Sequence, residues 1–121
     1  MRKYAFSRRS RLRLKNDFQA VFDVGRKVQT RNMIAWYVLS TGSNKYGLMV
    51  SKKTGGAVRR NAIKRLLREA IRLRQENFQE GIRIIIYPKA KCGIYCLEDA
   101  VDSVEELMSK ADLLKKSEDV S

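Results

Sequence analysis

The chain has 121 residues, of which 44% are apolar, with one Pro and seven Gly. That is enough for one folded domain with a core of its own, and it excludes a low-complexity or collagen-like chain. Lys and Arg number 26 against 13 Asp and Glu, a formal charge of +13, which calls for a polyanionic partner: RNA, DNA or an anionic membrane. There is no His, so the commonest general acid–base and the commonest zinc ligand are both missing. Two Cys fit a reducing cytoplasm better than a disulfide framework. No apolar run approaches the ~20 residues of a membrane span, and the basic opening lacks a signal segment, so a cytoplasmic location is expected.

Taken in chain order, Asn16-Asp17-Phe18-Gln19 reads as a helix start, Asn16 capping and Gln19 three positions on. Leu14, Phe18, Val21 and Phe22 keep helical spacing until Gly25 stops it. Met33 to Leu39 alternates as a strand, Met33, Ala35, Tyr37 and Leu39 on one face, Ile34, Trp36 and Val38 on the other. Thr41-Gly42-Ser43-Asn44 is turn chemistry, which predicts that Tyr46 to Ser51 returns as its hairpin partner. After a loop at Thr54-Gly55-Gly56, a long helix is predicted from about Ala57 to Arg74. With Ile63 at zero, Leu66, Leu67, Ala70 and Ile71 fall within about 80° of it, whereas Asn61, Lys64, Arg65, Arg68 and Arg72 lie at about 100° to 200°. One face is apolar and the other a basic stripe. Gly81 to Tyr87 is a buried strand closed by Pro88, and a last helix is expected over about Leu97 to Lys116. The elements read, helix, strands, helix, strand, helix, are α+β or split α/β in order. The fold expected is a single α+β domain over residues 1–121, αβββαβα with a four-stranded sheet, one strand more than the three placed above. The strands before and after the long helix should be parallel, as a βαβ unit.

The charge is segregated. Residues 97–121 hold eight acids and three bases, a net of −5, so residues 1–96 carry +18. The arm, about residues 1–15, contains Arg8, Arg9, Arg11 and Arg13 and no acid. Residues 52–74 carry nine bases opposed only by Glu69. A solvated surface does not need such clustering; a surface for phosphates does.

Catalytic chemistry is thinly provided. Asp17 and Asp23 are the only acids before Glu69, and Asp17 is explained by the positive end of its helix. Glu98, Asp99, Asp102, Glu105 and Glu106 read as the solvated face of the last helix, though a carboxylate–metal nuclease site would have to use them. Cys92 and Cys96 form a lone CxxxC with no further ligand for zinc. Gly55-Gly56 lacks the rest of a phosphate loop and reads as the entry to the helix. The aromatics Phe18, Phe22 and Trp36 are either core or a stacking surface for unpaired bases. A basic helix lying on a membrane fits poorly, since its apolar face is needed to cover the sheet.

The run from Tyr46 to Glu69, with Lys52-Lys53 at its strand end and Arg60-Asn61-Ala62-Ile63-Lys64-Arg65 in its helix, resembles the signature of the bacterial ribonuclease P protein subunit. The opening from Arg11 through Asn16, Asp17, Phe18 and Phe22 to Gly25 resembles that family's start, and the likeness covers roughly residues 8–88. One departure is Ala62, where the family's Arg-Asn-Arg run has a basic residue; another is Trp36, where a different aromatic is more usual.

The resemblance implies a compact α+β fold with a left-handed βαβ crossover, although pattern alone favours the right-handed form. It implies a ribonucleoprotein that removes the 5′ leader of precursor tRNA by Mg²⁺-dependent hydrolysis, the RNA subunit doing the chemistry and holding most of the Mg²⁺. This chain then supplies no catalytic side chain, no metal ligand and no organic cofactor, does not engage membranes, and is a monomer on its own. Arg60, Asn61, Lys64, Arg65 and Arg68, with Arg8, Arg9, Arg11 and Arg13, are expected to grip the catalytic RNA. Phe18, Phe22 and Trp36, with Lys52 and Lys53, are expected to hold the single-stranded leader. The alternatives from other classes are an RNA-binding protein of, for instance, the ribosome, and a protein-only nuclease dependent on Asp99 or Asp102.

Overall fold

In the computed structural model, residues 15–115 are described. Three helices, α1 (Lys15–Val24), α2 (Ala57–Arg74) and α3 (Leu97–Lys110), enclose four strands, β1 (Arg26–Gln29), β2 (Met33–Leu39), β3 (Lys45–Leu48) and β4 (Ile82–Pro88). The order αβββαβα is the one expected, and the single α+β domain with a four-stranded sheet is confirmed. The sheet runs β1-β2-β4-β3. β4 pairs antiparallel with β2 over seven residues, Met33 opposite Pro88 and Leu39 opposite Ile82, and parallel with β3, Tyr46 opposite Ile84.

The predicted hairpin between Met33–Leu39 and Tyr46–Ser51 does not form. β2 turns back on β1 instead, through Thr30, whose backbone N–H donates to the Met33 carbonyl at 2.8 Å and whose hydroxyl accepts the Met33 N–H at 3.2 Å. The other edge of β2 is taken by β4, so β3 passes to the far side of β4. Asn44 anchors it there: its amide donates to the Gln79 carbonyl at 2.9 Å and accepts the Ile82 N–H at 2.8 Å. Residues 41–44 do reverse the chain, as their turn chemistry predicts, but they lead it away from β2.

Alternation along the strands gives the sheet two working faces. Met33, Ala35, Tyr46, Ile82, Ile84 and Ile86 point into the main core with Ile63, Leu67, Ala70 and Ile71 of α2 and Val104, Leu107 and Met108 of α3. Both α2 and α3 are amphipathic as predicted, and their apolar stripes meet on this side. On the opposite face Ile85 and Val21 form a smaller cluster with Phe18, Phe22, Trp36 and Val38, which is where α1 docks. Gly25 lets α1 turn directly into β1, because a Cβ there would collide with the Val21 carbonyl oxygen and crowd the backbone of Tyr37.

Both ends of the chain's helical layout differ from expectation. α1 already includes Lys15, so Asn16 lies within its first turn rather than capping it. α3 ends at Lys110, not near residue 116. Asp112 takes φ 60°, its N–H donates to Ser109 at 3.0 Å and that of Leu113 to Met108 at 2.8 Å. This is a Schellman ending with Asp where Gly is usual. The chain then reverses, and Leu114 bridges to Phe78.

Candidate nucleic-acid interface

The aromatic candidates on the α1 side converge. Phe22 meets Trp36 edge to face, centroids 5.0 Å apart, and Tyr87 lies 6.4 Å beyond Trp36. Trp36 and Tyr87 share a face because Trp36 pairs with Ile85 across β2 and β4, and Tyr87 stands two residues further along the same strand. The Lys27 ammonium sits 5.9 Å from the Trp36 ring centroid, a cation–π approach from β1. Phe22, Trp36 and Tyr87, with Leu48, Met49, Val50, Ser51 and Lys64, line an open cleft of about 560 Å³. Its floor is apolar and aromatic, and its rim carries a lysine from α2. Phe18 belongs to the apolar cluster beneath α1 but not to the cleft lining.

Lys52 and Lys53 follow the cleft residue Ser51 in a single 3-10 turn, Lys52–Thr54, and both side chains are exposed. The Ser51 hydroxyl accepts the Lys53 N–H at 3.2 Å and so fixes the turn. Gly56 then opens α2 without a side-chain cap.

On α2 the stripe forms as the spacing predicted. Asn61, Arg65, Arg68 and Glu69 surround a recess of about 350 Å³. Arg65 is exposed, and Arg60 is turned back, its Nε donating to the Gly55 carbonyl at 3.2 Å. Arg72 is taken up by an ion pair with Glu69, and the Arg72 hydrogen bond holds the Glu69 carboxyl below the usual range. Arg74 reaches across to Glu105 of α3 at 3.0 Å. The bases of the last turn therefore serve the protein itself, while Asn61, Lys64 and Arg65 face outward. Lys64 is shared: it belongs to the stripe and to the cleft rim. Arg8, Arg9, Arg11 and Arg13 lie outside the described residues.

Tyr87, Lys27 and Arg59 were missed as candidates. Local sequence marks Tyr87 only as the end of a buried strand; the β2–β4 register is what puts it on the face of Trp36. Arg59 was counted among the bases of α2 but not singled out. Its guanidinium bonds the Ile94 carbonyl at 2.6 Å and lies 4.3 Å from the Tyr95 ring centroid.

Chemically the surface offers stacking and charge. Among the described residues no three carboxylate or thiol groups come together to hold a metal ion. Asp99 is used locally, accepting the Tyr95 N–H at 3.0 Å, which keeps its carboxyl below the usual range. Cys92 is buried and Cys96 exposed, and both are free thiols. No described helix is long and apolar enough to cross a membrane.

Comparison with known proteins gives one answer. The Ribonuclease P family model matches residues 6–112. The ribonuclease P protein component of Oleidesulfovibrio alaskensis is 38% identical over 88 residues, 70% of this chain and 70% of that one. That of Bacillus velezensis is 37% identical over 113 residues, covering 91% and 96%. Among solved structures, the Staphylococcus aureus RNase P protein superposes with a TM-score of 0.79 at 25% identity, over 88% of this chain and 98% of that one. The Thermotoga maritima protein gives 0.68 at 26% identity, over 84% and 93%. With the aromatic cleft and the basic helix on one small α+β domain, the chain belongs to the ribonuclease P protein family, the protein subunits of a tRNA-processing ribonuclease that work with an RNA subunit in a ribonucleoprotein.

Proposed function

We propose that this chain promotes removal of the 5′ leader from precursor tRNA by holding two RNAs at once. The observation that carries this reading is the continuity of the two surfaces through Lys64, which lies on α2 and on the rim of the Phe22–Trp36–Tyr87 cleft. The leader lies in the cleft. Its bases stack on aromatic faces, and its phosphates meet Lys64, Lys52 and Lys53. Leaders differ in sequence between tRNAs, so stacking and charge serve better than base-edge recognition. The catalytic RNA is gripped through phosphates by Asn61, Lys64, Arg65 and Arg68, with Arg60 beside them and the arm residues Arg8, Arg9, Arg11 and Arg13 completing the contact.

The hydrolysis that leaves a 5′-phosphate on tRNA belongs to the RNA subunit and its Mg²⁺. Among the described residues no three carboxylate or thiol groups come together to hold the ion. The chain's part is electrostatic and positional: a cationic surface between two polyanions lowers their repulsion and fixes the leader relative to the cleavage site.

The test is cleavage of a precursor tRNA at low Mg²⁺ with the RNA subunit alone, the protein alone, and both. Cleavage that requires both components supports the reading. Cleavage by the RNA-free protein that disappears in Asp99→Asn or Asp102→Asn would replace it with a protein nuclease. Tight RNA binding without any gain in cleavage would leave a plain RNA-binding protein.

A further inference from the structure

Tyr95 is an aromatic residue that the cleft does not use. It is 73% exposed, in the loop between β4 and α3, yet it is held firmly. Its N–H donates to Asp99 at 3.0 Å, and the Gly93 N–H donates to the Asn32 side chain at 3.2 Å. Ile94 beside it is buried in the core. Arg59 donates to the Ile94 carbonyl at 2.6 Å and reaches that of Cys92 at 3.4 Å. The guanidinium fixed in this way lies against the Tyr95 ring, 4.3 Å from its centroid. An exposed ring whose backbone is already ordered loses little freedom on stacking, which makes it an inexpensive contact.

The ring's surroundings are mixed in charge: the Arg59 guanidinium lies against it, and the Asp99 carboxylate is taken up by the Tyr95 N–H. The Arg59 stem lies against Gly55, whose carbonyl accepts Arg60. Lys91 is exposed in the same loop as Tyr95. Around α2, Lys64 lies about 100° to one side of Ile63 and Arg59 about 40° to the other. Held against Arg59, Tyr95 is therefore on the flank of α2 opposite to Lys64 and the cleft.

We propose that Tyr95, backed by Arg59, is a stacking platform for an unpaired nucleobase of the RNA subunit, extending the α2 contact around the helix. The proposal rests on the reading of α2 as the RNA-subunit face. Every base presents a π-face, so the platform tolerates sequence, and Lys91 in the same loop meets a flanking phosphate. Its position away from the cleft assigns it to the RNA subunit and not to the leader.

The test titrates the purified full chain against the RNA subunit transcript at several salt concentrations, with thermal melts as a folding control. Tyr95→Ala and Tyr95→Leu are expected to weaken assembly about 10-fold, the size of one lost base stack, and Tyr95→Phe to bind as the parent does. The losses should be equal at every salt, because no cation is removed. Arg65→Ala is run alongside. If it weakens assembly and Tyr95→Ala does not, the platform is wrong and the α2 reading stands. If neither does, the α2 reading fails and takes the platform with it. A Tyr95→Ala loss that appears only when assembled enzyme binds precursor tRNA overturns the assignment to the RNA subunit.

Discussion

The Phe22 ring stands edge-on to Trp36 at an interplanar angle of 71°, so the helix that covers one face of the sheet also walls the cleft beside it. Truncating Phe22 removes this contact, itself worth about 0.5–1.5 kcal/mol, along with one wall. Phe22→Ala should weaken binding of leader-bearing tRNA to the assembled enzyme about 10-fold and leave leaderless tRNA unchanged. Phe22→Leu, which keeps the apolar bulk against Val21 and Ile85, should show the same selectivity with less loss of stability. Equal losses on both tRNAs would remove the leader from this cleft.

Arg65 is exposed at the edge of the recess formed with Asn61, Arg68 and Glu69. Each phosphate that a cation neutralises adds about one unit to the slope of log affinity against log salt. Arg65→Ala should lower that slope by about one for the RNA subunit while leaving the folded protein's stability within about 0.5 kcal/mol. An unchanged slope would show that Arg65 touches no phosphate.

Asp112 carries φ 60° at the end of α3. A β-branched residue is a genuine outlier in that conformation, and glycine adopts it freely. Asp112→Gly should therefore exceed Asp112→Val in stability by about 1–3 kcal/mol in chemical denaturation. If the two unfold at the same midpoint with the same slope, the left-handed turn does not govern how α3 ends.

Tyr46 is buried beneath α2, and its phenol is pushed up to about 12, chiefly by burial and slightly offset by the Asn44 hydrogen bond. The folded state thus keeps a proton that the unfolded state loses near 10. Stability from this group is complete below pH 10 and falls as pH rises towards 12, by up to roughly 2–3 kcal/mol. Tyr46→Phe should flatten the decline over that window, measured by urea denaturation at fixed ionic strength.

Much of this could be read from the residues because the patterns were local. The spacing of Ile63, Leu67, Ala70 and Ile71 gave both the buried side of α2 and, by exclusion, the stripe holding Asn61 and Arg65. Alternation in β2 separated Ala35 from Trp36 correctly. What failed was non-local. Arg26–Gln29 has one apolar residue in four, too little to mark a strand, so its pairing with β2 was given to the stretch after Asn44. Tyr87 gained its place in the cleft only from the register between β2 and β4. Asp112 ends α3 because Leu113 has a place in the core, and no Gly announced that stop. Arg59 looked like one more base until its carbonyl partners at Cys92 and Ile94, more than 30 residues away, came into view.

β4 is the last strand made and yet lies between β2 and β3. A chain growing from its N-terminus can form α2 before any sheet joins its two halves. The basic stripe needs only one helix, whereas the aromatic cleft draws on residues from Phe22 to Tyr87. The two surfaces therefore mature on different schedules during synthesis. A chain stopped short of residue 82 can present positive charge to RNA but has no cleft, and the cleft arises in the same cooperative step that completes the fold.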